Sequence, residues 1–310
     1  MEGKRDGWKA ALALAPALIA LFVFMIVPII YAVLMSFMED FSFNEGGLIN
    51  FFANSYVQFP SLRGYADVLG DPDFQRALGN TALLVLVSVP LTIIISLMMA
   101  VCLNSIKKLQ GLYQTIFFLP YVTNSIALGM VFKVIFGRDT GLLNAILGTA
   151  GKAWITGGRW EMFAVIVTYT IWTGLAFKVL VFMSGLQSID KQYYDAARID
   201  GTSRGRIFRK ITVPLLSPQI LYITITSFIG AFKAYTSVIS IFGGGSNGLG
   251  NFGGSSGKEW LTVVGYIYQF VDGSQNGGLT KAAAGSVILL IIIMAITGVQ
   301  FLVSKKKVHY

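Results

Sequence analysis

The sequence predicts an all-α integral membrane protein with six transmembrane helices. Three observations predict it. Of the 310 residues, 55% are hydrophobic and only 13% charged, with a mean hydropathy of +0.67; this is too apolar for an ordinary soluble domain. Apolar stretches of the roughly 20 residues that a helix needs to cross a bilayer recur along the chain. The basic residues also segregate to one side once six spans are made to alternate.

The chain opens with a short basic arm, residues 1–9, followed by the first span at 10–38. A basic start before an apolar run also fits a signal peptide. This run is too long for an h-region and shows no convincing small-residue cleavage site, so it is kept as a span. Pro16 and Pro28 lie inside it and are tolerable in a membrane helix whose freed carbonyls find other partners. Residues 39–76 form a polar, aromatic-rich external loop ending Asp71-Pro72-Asp73-Phe74. The second span is 77–103, and 104–111 is a tight basic turn. The third, 112–136, is more polar and carries Pro120 and Lys133, yet 116–136 is still long enough. After an external loop at 137–160, with Trp154 and Trp160 suited to the headgroup region, come spans at 162–183, 215–242 and 282–303. The whole divides into an N-terminal portion at 1–76, a transmembrane domain at 77–303 with a loop at 187–213, and a basic tail at 304–310.

Net charge is +9, which in a soluble protein would suggest nucleic acid. Its distribution argues otherwise. Lys4, Arg5, Lys9, Lys107, Lys108, Lys191, Arg198, Arg204, Arg206, Arg209, Lys210 and Lys305 to Lys307 fall on one side. Arg63, Arg76, Arg138, Lys152, Arg159 and Lys258 fall on the other, a ratio of 14 to 6. The positive-inside rule therefore places both termini and the 187–213 loop in the cytoplasm. Tyr and Trp do not alternate with a basic face, as a nucleic-acid binder would require. The single histidine, His309, excludes Ser-His-Asp chemistry and His-rich metal sites, and the lone Cys102 cannot form an internal disulfide. The Gly/Ser-rich segment 243–257 precedes Lys258 but is no nucleotide loop. Phe252 stands where a P-loop needs Gly, and Glu259 where it needs Ser or Thr. The chain shows no ATP site and no catalytic constellation.

The loop at 187–213 carries the most specific signal. Ser188 or Asp190 can cap a short helix, Ala196 and Ala197 favour helix and close approach, and Gly201 can end it in a left-handed conformation. Thr202 or Ser203 can cap the next helix, and Pro214 can open the fifth span. The run Asp195-Ala196-Ala197, then Asp200-Gly201, Phe208, Ile211, Pro214 and Pro218, resembles the Glu-Ala-Ala loop of binding-protein-dependent ABC importer permeases of the sugar-uptake type. Asp195 replaces their usual Glu. The resemblance, closest to maltose-type permeases, covers nearly the whole chain. Leu119-Pro120-Tyr121, Trp172 before Gln187, and Ser227-Phe228 anchor it.

The resemblance implies the type I importer fold, with Asp195, Ala196, Ala197, Asp200 and Gly201 in a cytoplasmic coupling helix docked on an ATPase. It implies a bacterial or archaeal cell membrane and three partners: a homologous permease subunit, an ATPase dimer and an extracytoplasmic substrate-binding protein. ATP and Mg would be held by the ATPase, with no cofactor on this chain. For the substrate path it implies Tyr121 and Ser125, Thr170, Thr173 and Gly174, and Ser227, Ala231 and Ala234. The last set shares one helix face. Asparagines of the relative are alanines at 231 and 234, which points to a different substrate.

Three lysines fall within spans, where charge normally faces protein, water or the interface. Lys133, near a span end, is expected to snorkel. Lys178 and Lys233 lie deeper, as structural pairing residues or as part of the path. The substrate is expected to be a sugar or oligosaccharide. The same scaffold would serve an anionic sugar or glycerol phosphate. An ion-coupled secondary transporter would instead predict intramembrane acids, and no predicted span has one at its centre.

Overall fold

The computed structural model describes residues 7–39, 41, 60–106, 108, 110–243, 252–254, 257–271 and 278–304. The basic tail, the first six residues of the arm, most of residues 40–59 and much of the Gly/Ser-rich segment lie outside them. The chain folds as two compact units, one of Met1–Phe74 with Tyr266–Ile291 and the other of Gln75–Gly265 with Ile292–Tyr310.

In the first unit, α1 (Gly7–Leu21), a π-turn (Phe22–Ile26) and α2 (Val27–Ser36) follow one another as a single rod. The π-turn, where Val27 N–H reaches Phe22 O, sits just ahead of Pro28. Such turns occur where the regular ladder is interrupted. After α3 (Arg63–Gly70), the unit is completed by the later part of α14 (Val263–Val271) and the start of α15 (Gly278–Ser304). Polar contacts join these pieces. The Ser36 and Tyr65 hydroxyls lie 2.6 Å apart, Phe41 N–H donates to Thr280 Oγ1 at 3.2 Å, and Lys281 pairs with Asp67 at 3.8 Å. Tyr266 donates to Asp71 Oδ2 at 2.7 Å. Burial raises its phenol pKa, and Asp71 raises it further, so it remains a donor.

The second unit centres on α8 (Arg159–Ser188), with α4 (Pro72–Ser105), α5 (Gln110–Val122), α6 (Ser125–Ile135), α12 (Ser217–Phe232) and α13 (Thr236–Phe242) packed around it. A buried cluster of Ala100, Leu103, Phe182, Met183, Leu186, Leu216 and Ile223 joins α4, α8 and the entry to α12. Gly185 makes this possible: a Cβ there would lie 2.7 Å from Leu216 Cδ2 and 3.0 Å from Gln219 Cγ. Lipid tails are as apolar as side chains, so close approach through small residues is what holds such helices together.

Among the described residues, four helices are long and apolar enough to cross a membrane unbroken, and two bent pairs bring the number to six if each pair is one span. The bends correct two expectations. The third span is not straight: α5 and α6 meet at 99°. Pro120 removes an amide one turn before the break, and Asn124 starts the second arm by accepting from Ile126 N at 2.8 Å. The fifth is broken too, at 68°. Pro214 lies in the incoming arm, in α11 (Val213–Leu215), and Pro218 opens the span proper.

That span also stops ten residues early, at Phe232 rather than 242. Thr262 Oγ1 donates to Ala234 O at 2.7 Å, so the break leaves that carbonyl paired. α13 then packs against α6. Here Gly129 is required, because a Cβ would collide with the Ser240 side chain and lie 2.9 Å from its carbonyl carbon. The Lys133 ammonium donates to Gly243 O just past the end of α13, where a helix leaves carbonyls unpaired.

The described residues of the loops between spans are more ordered than their polarity suggests. Asn144 donates to the carbonyls of Gly137, Arg138 and Lys152 and accepts from Trp154 Nε1 at 2.7 Å. Arg159 donates to Asn80 Oδ1 at 2.6 Å and pairs with Glu259 at 3.4 Å. Asn80 in turn donates to the carbonyls of Glu259 and Leu261.

Candidate functional site

A cavity of about 540 Å³ lies beside α8 in the second unit. Turns of α8 present Tyr169, Thr170, Thr173, Gly174, Phe177 and Lys178; α4 adds Ser88 and Thr92; α12 adds Thr226, Ser227, Gly230 and Ala231. Tyr121 enters from the last turn of α5, its ring parallel to Phe177 with centroids 5.8 Å apart. Ala234 follows the break after α12, and Ser237 comes from α13. The cavity wall thus includes residues at the breaks that follow α5 and α12.

Its chemistry is hydroxyls and rings. Thr170 and Thr173 donate to the carbonyls of Ile166 and Tyr169 one turn back, at 2.7 and 2.9 Å. A hydroxyl whose proton is thus engaged still offers lone pairs. Tyr169 donates to Ser125 O at 2.8 Å. Ser88 Oγ is buried with no hydrogen-bond partner among the described residues. Lys178 Nζ donates to Gly174 O at 3.1 Å. Neutral hydroxyls with aromatic faces hold a polyol by many weak directional contacts.

Of the positions implied for the path, Tyr121, Thr170, Thr173, Gly174, Ser227, Ala231 and Ala234 line this one cavity, and so does the span lysine Lys178. Two of the candidates do not. Ser125 contributes its carbonyl to Tyr169 rather than a side chain to the wall. Lys233 is exposed at the C-cap of α12 and is absent from the wall. Sequence reasoning missed Ser88 and Thr92. Their i, i+4 spacing within the apolar run of α4 was the available signal. Ser237 was hidden by the unforeseen break.

The loop at 187–213 folds as its residues dictate. Asp190, not Ser188, caps α9 (Lys191–Ile199), accepting from Gln192 N at 3.0 Å; Ser188 donates to Gly185 O instead. At the far end Thr202 N–H reaches Ala197 O at 3.0 Å and Gly201 N–H reaches Arg198 O at 3.1 Å, with Gly201 at φ +65°. This is the Schellman arrangement that glycine favours. Ser203 occupies the N-cap position of α10 (Arg204–Ile207), though its side chain accepts no bond there. Asp195 is 65% exposed beside Arg198 at 3.4 Å, and Ala197 is buried. A groove lined by Tyr193, Ala196, Asp200, Arg206 and Lys210 runs along this helix.

Bent spans around a polar cavity, with a capped helix on a loop between spans, define a membrane permease. The chain belongs to the family of binding-protein-dependent transport system inner membrane components, whose model matches residues 92–309. It is 32% identical to the arabinooligosaccharides transport system permease protein AraP of Bacillus subtilis, over 95% of this chain and 90% of that one. It is 29% identical to the sn-glycerol-3-phosphate transport system permease protein UgpA of Agrobacterium fabrum, over 96% and 95%. Its fold matches, with a TM-score of 0.76, a chain of a bacterial ABC transporter involved in the import of the acidic polysaccharide alginate. That match covers 98% of this chain and 96% of the other at 20% identity. The chain is thus an ABC importer permease subunit, embedded in the membrane and not itself an enzyme.

Proposed function

We propose that this chain forms half of the translocation pathway for a sugar or oligosaccharide, in an importer driven by ATP hydrolysed on partner subunits. The observation that carries the substrate class is the cavity: seven positions that the family resemblance implies for the path meet in one space lined by hydroxyls and aromatic rings. AraP, named for arabinooligosaccharides, supports the same class. A second, homologous permease subunit closes the other side of the path.

α9 docks on the ATPase. Asp195, Ala196, Asp200 and Gly201 form the contact, with Ala197 packed beneath them, and ATP-driven closure carries this rigid helix and its flanking spans, switching access. ATP and Mg belong to that ATPase, and a substrate-binding protein delivers the sugar from outside. The basic residues place both termini and α9 in the cytoplasm.

Proteoliposomes holding the complete importer test this reading, with ATP inside and the binding protein outside. They should accumulate labelled oligosaccharide only when ATP and binding protein are both present. Accumulation driven by an ion gradient without the ATPase would overturn it.

A further inference from the structure

The geometry points to Lys178 as the site that binds an anionic group, a carboxylate or phosphate, on the transported sugar. This rests on the cavity being the sugar path and names the subclass of sugar it takes. Lys178 stands on the cavity wall with its ammonium folded back along α8 onto Gly174 O at 3.1 Å. That carbonyl engages only one of its donors and supplies no countercharge. The residues lining the cavity include no Asp or Glu, and no ion pair among the described residues involves Lys178. A lone ammonium at membrane depth is costly unless something in the path compensates it.

Two further observations mark this as a built feature. A Cβ at Gly174 would lie 3.0 Å from Lys178 Nζ and 3.3 Å from Thr92 Cγ2. The glycine thus leaves room for the ammonium between α8 and α4. In the same wall, Ser88 Oγ is fully buried and has no partner among the described residues. A carboxylate or phosphate in the cavity supplies the countercharge by accepting from the ammonium, and such charge-assisted bonds are the stronger kind. The rest of the sugar lies against Tyr121 and Phe177. Lys233 has no part in this, being exposed and outside the cavity.

The test is equilibrium binding to the purified, complete importer in nanodiscs, without the binding protein, so that its selectivity does not enter. The probes are trigalacturonate against its full methyl ester, and glycerol 3-phosphate against glycerol. At least one acid should bind roughly tenfold or more tightly than its neutral counterpart, and which pair shows it separates carboxylate from phosphate. Lys178→Gln should erase the difference and Lys178→Arg should keep most of it. Equal binding of acid and neutral forms by the unaltered importer overturns the proposal, as does a preference unchanged in Lys178→Gln. Should the Gln variant not assemble, the unaltered importer decides alone by showing or lacking the preference. Binding of the methyl ester without acid preference removes the role of Lys178 and leaves the sugar path standing. Binding of none of the probes, together with failed sugar uptake in proteoliposomes, removes both.

Discussion

Two glycines show how single residues set this fold, and how differently they announce themselves. Gly201 holds φ +65° with no atom within 4 Å of where its Cβ would be, so its role is conformational alone. A valine there must adopt a left-handed backbone at about 1–2 kcal/mol, more for its β-branch. Gly201→Val should therefore loosen the end of α9 without blocking insertion. ATPase stimulation by the loaded binding protein should fall severalfold in an assembled complex, and unchanged stimulation would refute this. Gly129 is the opposite case, with ordinary helical backbone but Ser240 against it. Gly129→Val should separate α13 from α6 and lower the thermal midpoint of the purified complex, in keeping with the 1–3 kcal/mol typical of overpacking. An unchanged midpoint would show that the helices do not need this contact. Gly201 was legible because helix, Asp and Gly follow one another locally. Gly129 was not, since only the α6–α13 contact reveals its need.

At the scale of elements, hydropathy located the spans but not their bends. Residues 112–136 and 215–242 read as continuous because an apolar run reports length and composition, whereas a break depends on where carbonyls and amides find substitute partners. Asn124 supplies such a partner for α6 and Thr262 for Ala234. Thr262 lies far along the sequence, beyond any local signal. The short helix α9 was legible, its end at Gly201 outright and its cap as either Ser188 or Asp190, because helix ends are set by nearest neighbours. Its surface chemistry permits a sharp prediction. Asp195 is largely exposed, and its pairing with Arg198 at 3.4 Å is a surface contact of little weight. Asp195→Lys should therefore leave folding and insertion intact. If α9 docks on the ATPase, the variant should nonetheless co-purify with it at well under half the normal yield. Normal yield and normal transport would show that this face carries no docking contact.

For the whole molecule, the membrane turns features that would be faults in water into expected ones. Leu12, Leu18, Phe24 and Ile30 of the first span are all exposed, as are Leu86, Ile94 and Met98 of α4 and Met294, Phe301 and Leu302 of α15. The most apolar window of the first span buries none of its residues within the chain. Such surface is stable only against lipid or a partner subunit, which fits one half of a pore. The proposed orientation rests on charge, because lysine and arginine near span ends are retained on the cytoplasmic side. With Cys102 replaced by Ser, single cysteines at Gly148, before residues rich in neither sign, and at Ser203, beside Arg204 and Arg206, distinguish the two faces. In intact cells a membrane-impermeant maleimide should label Gly148→Cys. It should reach Ser203→Cys only after the membrane is opened. Labelling of Ser203→Cys from outside would invert the topology and place α9 out of reach of a cytoplasmic ATPase. The topology is therefore the first thing to test, because the docking proposal depends on it.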